Sequence, residues 1–167
     1  MLTFRKSKFN FMLSVLLLCF SLTSFYAEEV YAGEKDALEL FESGDTDKAI
    51  DTMKKLLQAH PDNAEAYERL GSMFLRKGGL DEAVNAFNTG LKINPRLHSA
   101  KTGKGFALLR KGDIKEAEST FKDALTLNPK PSMTHYGLGL LYEGLKDYEK
   151  AVIHFKEGIR KYKAGRQ

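Results

Sequence analysis

The strongest constraint in this sequence is a register of residue types that recurs every 34 positions through most of the chain. Small residues and large apolar residues each keep to their own positions in all four copies. The in-phase sets are Ala49, Ala83, Ala117 and Ala151; Met53, Phe87, Phe121 and Phe155; Ala37, Gly71, Gly105 and Gly139; and Leu40, Phe74, Leu108 and Tyr142. A period of this length predicts an array of stacked units that share one continuous core.

Each unit has the pattern of two amphipathic helices, because its apolar residues recur at three- and four-residue steps. Glycine or lysine followed by glycine or aspartate separates the halves, at 44–45, 78–79, 112–113 and 146–147, and the aspartates are expected to cap the second helices. Pro61, Pro95 and Pro129 end the first three units. Helices are predicted at about 34–43, 47–59, 64–77, 80–93, 98–111, 114–127, 132–145 and 148–161, without strands. The predicted fold is all-α, a right-handed solenoid of about four antiparallel helix pairs.

The N-terminal 32 residues have the layout of a secretory signal, with a basic start, an apolar stretch over 11–22 and small residues after it. Cleavage is expected after Ala32, which divides the chain into a signal at 1–32 and a repeat domain at 33–167. The alternative is an uncleaved membrane anchor over 9–26, close to the ~20 apolar residues that a spanning helix needs. Cys19 is the only cysteine, so the mature chain is expected to have neither disulfides nor thiol chemistry.

The repeat resembles the tetratricopeptide repeat over roughly residues 30 to 165. The second unit carries that family's residue types most fully, at Tyr67, Leu70, Gly71, Phe74, Ala83, Phe87 and Pro95. The resemblance implies repeats near 30–63, 64–97, 98–131 and 132–165. Lys101 and Lys104 depart from the pattern, because large apolar residues are expected at those two positions.

The resemblance also implies a concave groove lined by the first helix of each pair, in which a partner segment lies. Carried over by repeat phase, the partner-binding residues are Leu38, Phe41, Glu68, Leu75, Arg76, Phe106, Leu109, Arg110, Met133, Tyr136 and Leu140. One version of the family grips a chain-terminal carboxylate with basic residues and asparagines, which this sequence lacks. The predicted partner is therefore an apolar peptide or an amphipathic helix, with Arg76 and Arg110 placed to pair with acidic side chains beside it. The alternative is that these apolar residues only pack against neighbouring helices.

A second interaction surface is predicted at the C-terminal end, because no later helix in the sequence covers helix 148–161. This end could join copies of the chain into a homo-oligomer. The alternative function is accordingly a self-associating structural repeat protein tethered at a membrane surface, with the membrane involved only if the N-terminal segment is uncleaved. The predicted location is the periplasm or cell envelope of a bacterium.

Other functional classes are not favoured by the residues present. The four histidines have neither three- nor four-residue spacing, so no metal site is expected, and neither a nucleophile elbow nor a complete phosphate loop is present. The net charge of +4 is interleaved along the chain, which does not suit a nucleic-acid partner. The basic tail at 160–166 is interpreted as a complement to a helix C-terminus rather than as a lipid-binding patch. We therefore expect a non-enzymatic protein without cofactors.

Overall fold

The computed structural model describes residues 30, 32–128 and 131–165. Within these residues the chain forms eight helices and no strand, which confirms the predicted all-α helical-repeat fold. Almost all of the predicted signal or anchor lies outside the described residues, so that prediction and the domain division at residue 32 stay predictions. Among the described helices, none is long and apolar enough to span a membrane.

The helices alternate as first and second members of four pairs. They are α1 (32–42), α2 (Thr46–Ala59), α3 (Ala64–Lys77), α4 (Leu80–Ile93), α5 (His98–Lys111), α6 (Ile114–Leu127), α7 (Ser132–Gly144) and α8 (Tyr148–Ala164). The bounds of α3 to α6 agree with those predicted from the repeat phase. Helix α8 runs three residues beyond its predicted end at 161.

The turn inside each pair adopts a left-handed backbone conformation at the same phase. Gly44, Gly78 and Gly112 have φ values of 93°, 93° and 87°, and Lys146 occupies the fourth copy with φ 61°. Glycine adopts this conformation without strain, whereas lysine does not. The capping prediction was correct for Asp147, which accepts from the Lys150 N–H. It was wrong for Asp45 and Asp113, whose side chains lie beside Lys48 and Lys111 instead.

The pairs stack because a phenylalanine of each second helix fits between two glycines. The fully buried Phe121 ring of α6 lies between Gly105 of α5 and Gly137 of α7. A Cβ placed on either glycine would come within 2.5 Å of the ring. Phe87 lies in the same way between Gly71 and Gly103. Small residues facing large ones therefore fix both the distance within a pair and the distance between pairs.

Polar contacts repeat with the same period along the array. Lys77 pairs with Asp47 at 2.5 Å, and one repeat later Lys111 pairs with Asp81 at 2.6 Å. These hydrogen-bonded ion pairs raise the pKa of both lysines. Each joins the end of a first helix to the start of the preceding second helix, so the polar surface follows the same stacking order as the core.

Candidate protein-binding site

The first helices of the pairs form one continuous layer. Helix α3 contacts α5, and α5 contacts α7, whereas no comparable contact joins α4 to α6 or α6 to α8 in the part of the chain that the structure describes. The array therefore curves with its first helices on the inner side. This inner surface, made by α1, α3, α5 and α7, is called the concave face below.

All eleven residues predicted to bind a partner lie on these four helices, and none is fully buried. Arg76, Arg110, Met133 and Tyr136 are exposed, and the half-buried ones are Leu38, Phe41, Glu68, Leu75, Phe106, Leu109 and Leu140. Five of the half-buried side chains also pack against the core, namely Leu38, Phe41, Leu75, Phe106 and Leu109. The alternative that they contribute to packing therefore holds for these five, but each keeps part of its surface open.

Two rows of apolar residues follow the repeat phase across the concave face. One row contains Phe41, Leu75 and Leu109, and the other contains Leu38, Phe106 and Leu140. The second row is interrupted on α3, where the in-phase residue is Ser72. The first row is thus continuous from α1 to α5, and the second row is continuous over α5 and α7 but broken on α3.

The polar break on α3 is built around Glu68. Burial raises the pKa of this carboxyl, while Arg69 and a hydrogen bond with Ser72 act in the opposite direction. Arg69 also forms an ion pair with Glu34 of α1. A half-buried carboxylate in this setting favours a ligand that brings a hydrogen-bond donor or a positive charge.

Arg76 and Arg110 each reach back to the preceding first helix. The Arg76 guanidinium donates to the Phe41 carbonyl oxygen and lies over the Phe41 ring. Arg110 donates to the Leu75 carbonyl oxygen at 2.5 Å. Both arginines therefore bind helix C-terminal carbonyls within the chain, a contact that sequence reasoning missed. Their pairing with acidic residues of a partner stays a prediction.

The comparison with known families agrees with this architecture. The tetratricopeptide repeat family matches residues 35–97 and 103–165, which together make up most of the chain.

The chain belongs to the tetratricopeptide repeat family.

Solved structures of the protein MamA have the same tetratricopeptide fold. "Crystal structure of MamA" matches with a TM-score of 0.71 at 24% identity, covering 81% of this chain and 80% of that one. "MamA 41-end from Desulfovibrio magneticus RS-1" matches with a TM-score of 0.71 at 19% identity, covering 81% and 76%. At such identities the likeness shows the fold. No curated protein sequence matches the chain. The family and the fold together identify the chain as a protein-interaction scaffold.

Two of the predicted groove residues lie at the end of the tetratricopeptide array. Met133 and Tyr136 of α7 are 57% and 47% exposed, and they line a groove of about 390 Å³ between α7 and α8. Its other lining residues are Ser132, Phe155, Gly158, Ile159 and Tyr162. In the preceding repeat the residue in phase with Tyr136 is Thr102, which is buried and lies 2.9 Å from Thr134 of the next repeat. Tyr136 is therefore exposed because no other described helix packs over it as α7 packs over Thr102.

A pair of histidines in the last tetratricopeptide repeat was missed by the sequence reasoning. His135 of α7 and His154 of α8 lie with their Nδ1 atoms 3.1 Å apart, and the Tyr142 ring stacks on His154. Burial lowers the pKa of both imidazoles. Within the described residues, no group of three or more candidate metal ligands is present. The pair is thus a titratable contact inside the repeat.

Proposed function

We propose that this protein is a scaffold that binds a segment of a partner protein along its concave face. The observation that carries the proposal is the pair of apolar rows on the inner helices. Phe106 and Leu109 on α5, and Leu140 on α7, are apolar side chains that remain half-exposed on the layer that faces the inside of the curve. A partner segment would cover this remaining apolar surface.

The chemistry of the concave face favours an amphipathic helix or an apolar peptide as the bound segment. Its apolar side chains would lie over α5 and α7, on Phe106, Leu109 and Leu140. Toward α3 the segment would present a basic or amide side chain to the half-buried Glu68 carboxyl. A segment with apolar residues toward one end and a basic residue toward the other matches this order.

The proposal includes a location in the bacterial cell envelope, which rests on the predicted export signal alone. If the N-terminal segment is cleaved, the scaffold is released outside the cytoplasmic membrane, and if it is retained, the segment anchors the scaffold there. Binding on the concave face involves neither a catalytic step nor a cofactor in either case.

Photo-crosslinking in the native cell tests the proposal. A photoreactive residue replaces Leu109 on the concave face, and Asp123, an exposed residue of α6, serves as the matched control. We expect a foreign protein to be captured from position 109 and not from position 123, and we expect the capture to fall when Phe106→Glu is added. Equal capture from both positions, or capture that is unaffected by Phe106→Glu, would contradict a concave-face site.

A further inference from the structure

The last second helix, α8, differs from the interior ones because the described residues cover it on one side only. Phe87 and Phe121 each lie between a glycine of their own repeat and a glycine of the next. Phe155 of α8 occupies the same phase and contacts Gly139 of its own repeat. Its other side faces the groove between α7 and α8, and Phe155 is half-buried where the two interior rings are fully buried.

The uncovered side of α8 carries a regular apolar row, called the terminal stripe below. It consists of Tyr148, Val152, Phe155, Ile159 and Tyr162, at alternating steps of four and three residues. Ile159 is 57% exposed, whereas its in-phase equivalents Leu91 and Leu125 are half-buried and pack against the core clusters. Alternating steps of four and three are the spacing with which one helix packs along another. The terminal stripe is therefore shaped to receive a helix.

We propose that a second copy of this chain covers the terminal stripe, with α8 of one copy packed antiparallel against α8 of the other about a two-fold axis. Such an interface is self-complementary, because each copy contributes the same stripe and receives the same stripe. The α7 side chains Met133 and Tyr136 border the stripe in each copy. The dimer covers Met133 and Tyr136 at the end of the concave face and leaves Phe106, Leu109 and Leu140 open, so this inference does not rest on the proposed function.

The distribution of exposed apolar residues favours two-fold pairing over head-to-tail stacking. Eight of the nine large apolar side chains that are exposed lie between Met133 and Tyr162, and the ninth is Ile93. None lies on α1 or α2 among the residues that the structure describes. Among the described residues, the opposite end of the array therefore carries no exposed apolar surface that matches the terminal stripe, and the stripe of another copy is the better match.

The charges along α8 also match an antiparallel partner. The exposed Glu149 lies in the first turn, and Lys161 and Lys163 lie in the last turn. In an antiparallel pair the acidic start of each helix lies beside the basic end of the other, and the two helix dipoles oppose each other. A parallel pair would place like charges together.

The apolar area is close to what a stable interface needs. A large aromatic side chain carries roughly 150–250 Å² of surface, so the partly exposed stripe together with Met133 and Tyr136 offers on the order of 600 Å² per copy. Specific interfaces bury about 800 Å² on each partner. The aliphatic stems of the lysines at the rim supply the remaining contact.

The test compares two isoleucines that are equally exposed on the same helix. Ile159 lies in the terminal stripe and Ile153 lies off it, and both are 57% exposed. Sedimentation equilibrium on the full chain is expected to give a dimer for the native protein and for Ile153→Glu, and a monomer for Ile159→Glu. Circular dichroism checks that helicity is unchanged. If Ile159→Glu does not fold, Tyr148→Lys replaces it, because Tyr148 is 63% exposed at the other end of the stripe.

A charge exchange tests the orientation. Glu149→Lys is expected to raise the dimer dissociation constant about tenfold at low salt, and adding Lys163→Glu is expected to restore it, because the exchange recreates opposite charges across an antiparallel pair. A native protein that is monomeric at about 100 μM, a dimer that persists in Ile159→Glu, assemblies larger than a dimer, or a charge exchange without rescue would each overturn the proposal.

Discussion

The Arg76 guanidinium lies 3.4 Å from the centre of the Phe41 ring in the preceding repeat. The same guanidinium donates to the Phe41 carbonyl oxygen, so one side chain joins the C-terminal ends of α1 and α3. Arg110 makes the corresponding hydrogen bond to Leu75 one repeat later. These arginines link neighbouring repeats on the surface, as the phenylalanines link them in the core.

Replacing Arg76 by alanine is expected to weaken the contact between the first and second repeats and so to lower the stability of the protein. The change removes a cation–π contact and a charge-assisted hydrogen bond at an exposed site, which together contribute about 1 kcal/mol. Urea unfolding followed by circular dichroism measures the loss. Arg96→Ala, in the turn between α4 and α5, is the matched control and is expected to leave the midpoint unchanged. An equal effect of both changes would contradict a specific role for the Arg76 contact.

Replacing Lys146 by glycine in the turn between α7 and α8 is expected to stabilise the protein. Lys146 has φ 61°, where the three preceding turns of the same phase have glycine. A left-handed conformation costs a non-glycine residue roughly 1–2 kcal/mol, and the added freedom of glycine in the unfolded chain offsets part of this gain. Lys146→Gly should therefore stabilise the protein by about 0.5–1 kcal/mol in urea unfolding. Gly112→Ala, the reverse kind of change at a residue with φ 87°, should destabilise the protein. If both variants changed the free energy of unfolding in the same direction, the explanation would be refuted.

Stability is expected to fall as the pH drops below about 6.5, because of His135 and His154. Burial lowers the pKa of both imidazoles, and the nearby cations act in the same direction, with Lys161 and Arg160 facing His135 and Lys122 facing His154. The charge of Glu157 opposes this effect at His135. The unfolded chain then binds more protons than the folded one in this range, so protonation favours unfolding. The two neutral imidazoles therefore contribute their full stabilisation of the folded state above the ordinary histidine pKa of 6.5.

The measurement is the urea midpoint at pH 7.5 and at pH 5.5, a range in which carboxylates titrate little. The native protein should lose stability between the two values. His154→Phe keeps the stacking on Tyr142 but removes one titrating group, so its loss should be smaller. A loss of the same size in this variant would show that the pH dependence arises elsewhere in the chain.

The helices of the middle repeats could be predicted from the sequence because glycine, proline and apolar period mark their ends independently. At α8 the glycine lies four residues after the predicted end at 161, and the helix continues to Ala164, directly before Gly165. The expected aspartate caps are absent at Asp45 and Asp113, whose carboxylates pair with Lys48 and Lys111, whereas Asp147 pairs with Lys150 and also caps α8. Short-range signals thus predicted the elements better than they predicted individual polar contacts.

The contacts that sequence reasoning missed join residues that are far apart in the chain. His135 and His154 are 19 residues apart and meet only because α7 and α8 pack side by side. Arg76 reaches a carbonyl 35 residues earlier, at a distance set by repeat stacking. The repeat phase could have suggested the second contact, because Arg76 and Arg110 are 34 positions apart. The resemblance to the tetratricopeptide repeat implied that the first helices are the inner ones, but it could not show which of their side chains remain exposed.

The central claim is that the concave face binds the partner. The most direct test is the affinity between the partner protein identified by crosslinking and the Phe106→Glu variant of this chain. Phe106 contacts the Phe121 and Tyr136 rings, with centroids 5.2 Å and 6.4 Å away, and it is half-buried on the concave face. Isothermal titration is expected to show a loss of about 30-fold or more, the size of an interface hot spot. Ile153→Glu should bind as the native protein does, and both variants should keep native helicity by circular dichroism. Unchanged affinity in folded Phe106→Glu would contradict binding at the concave face.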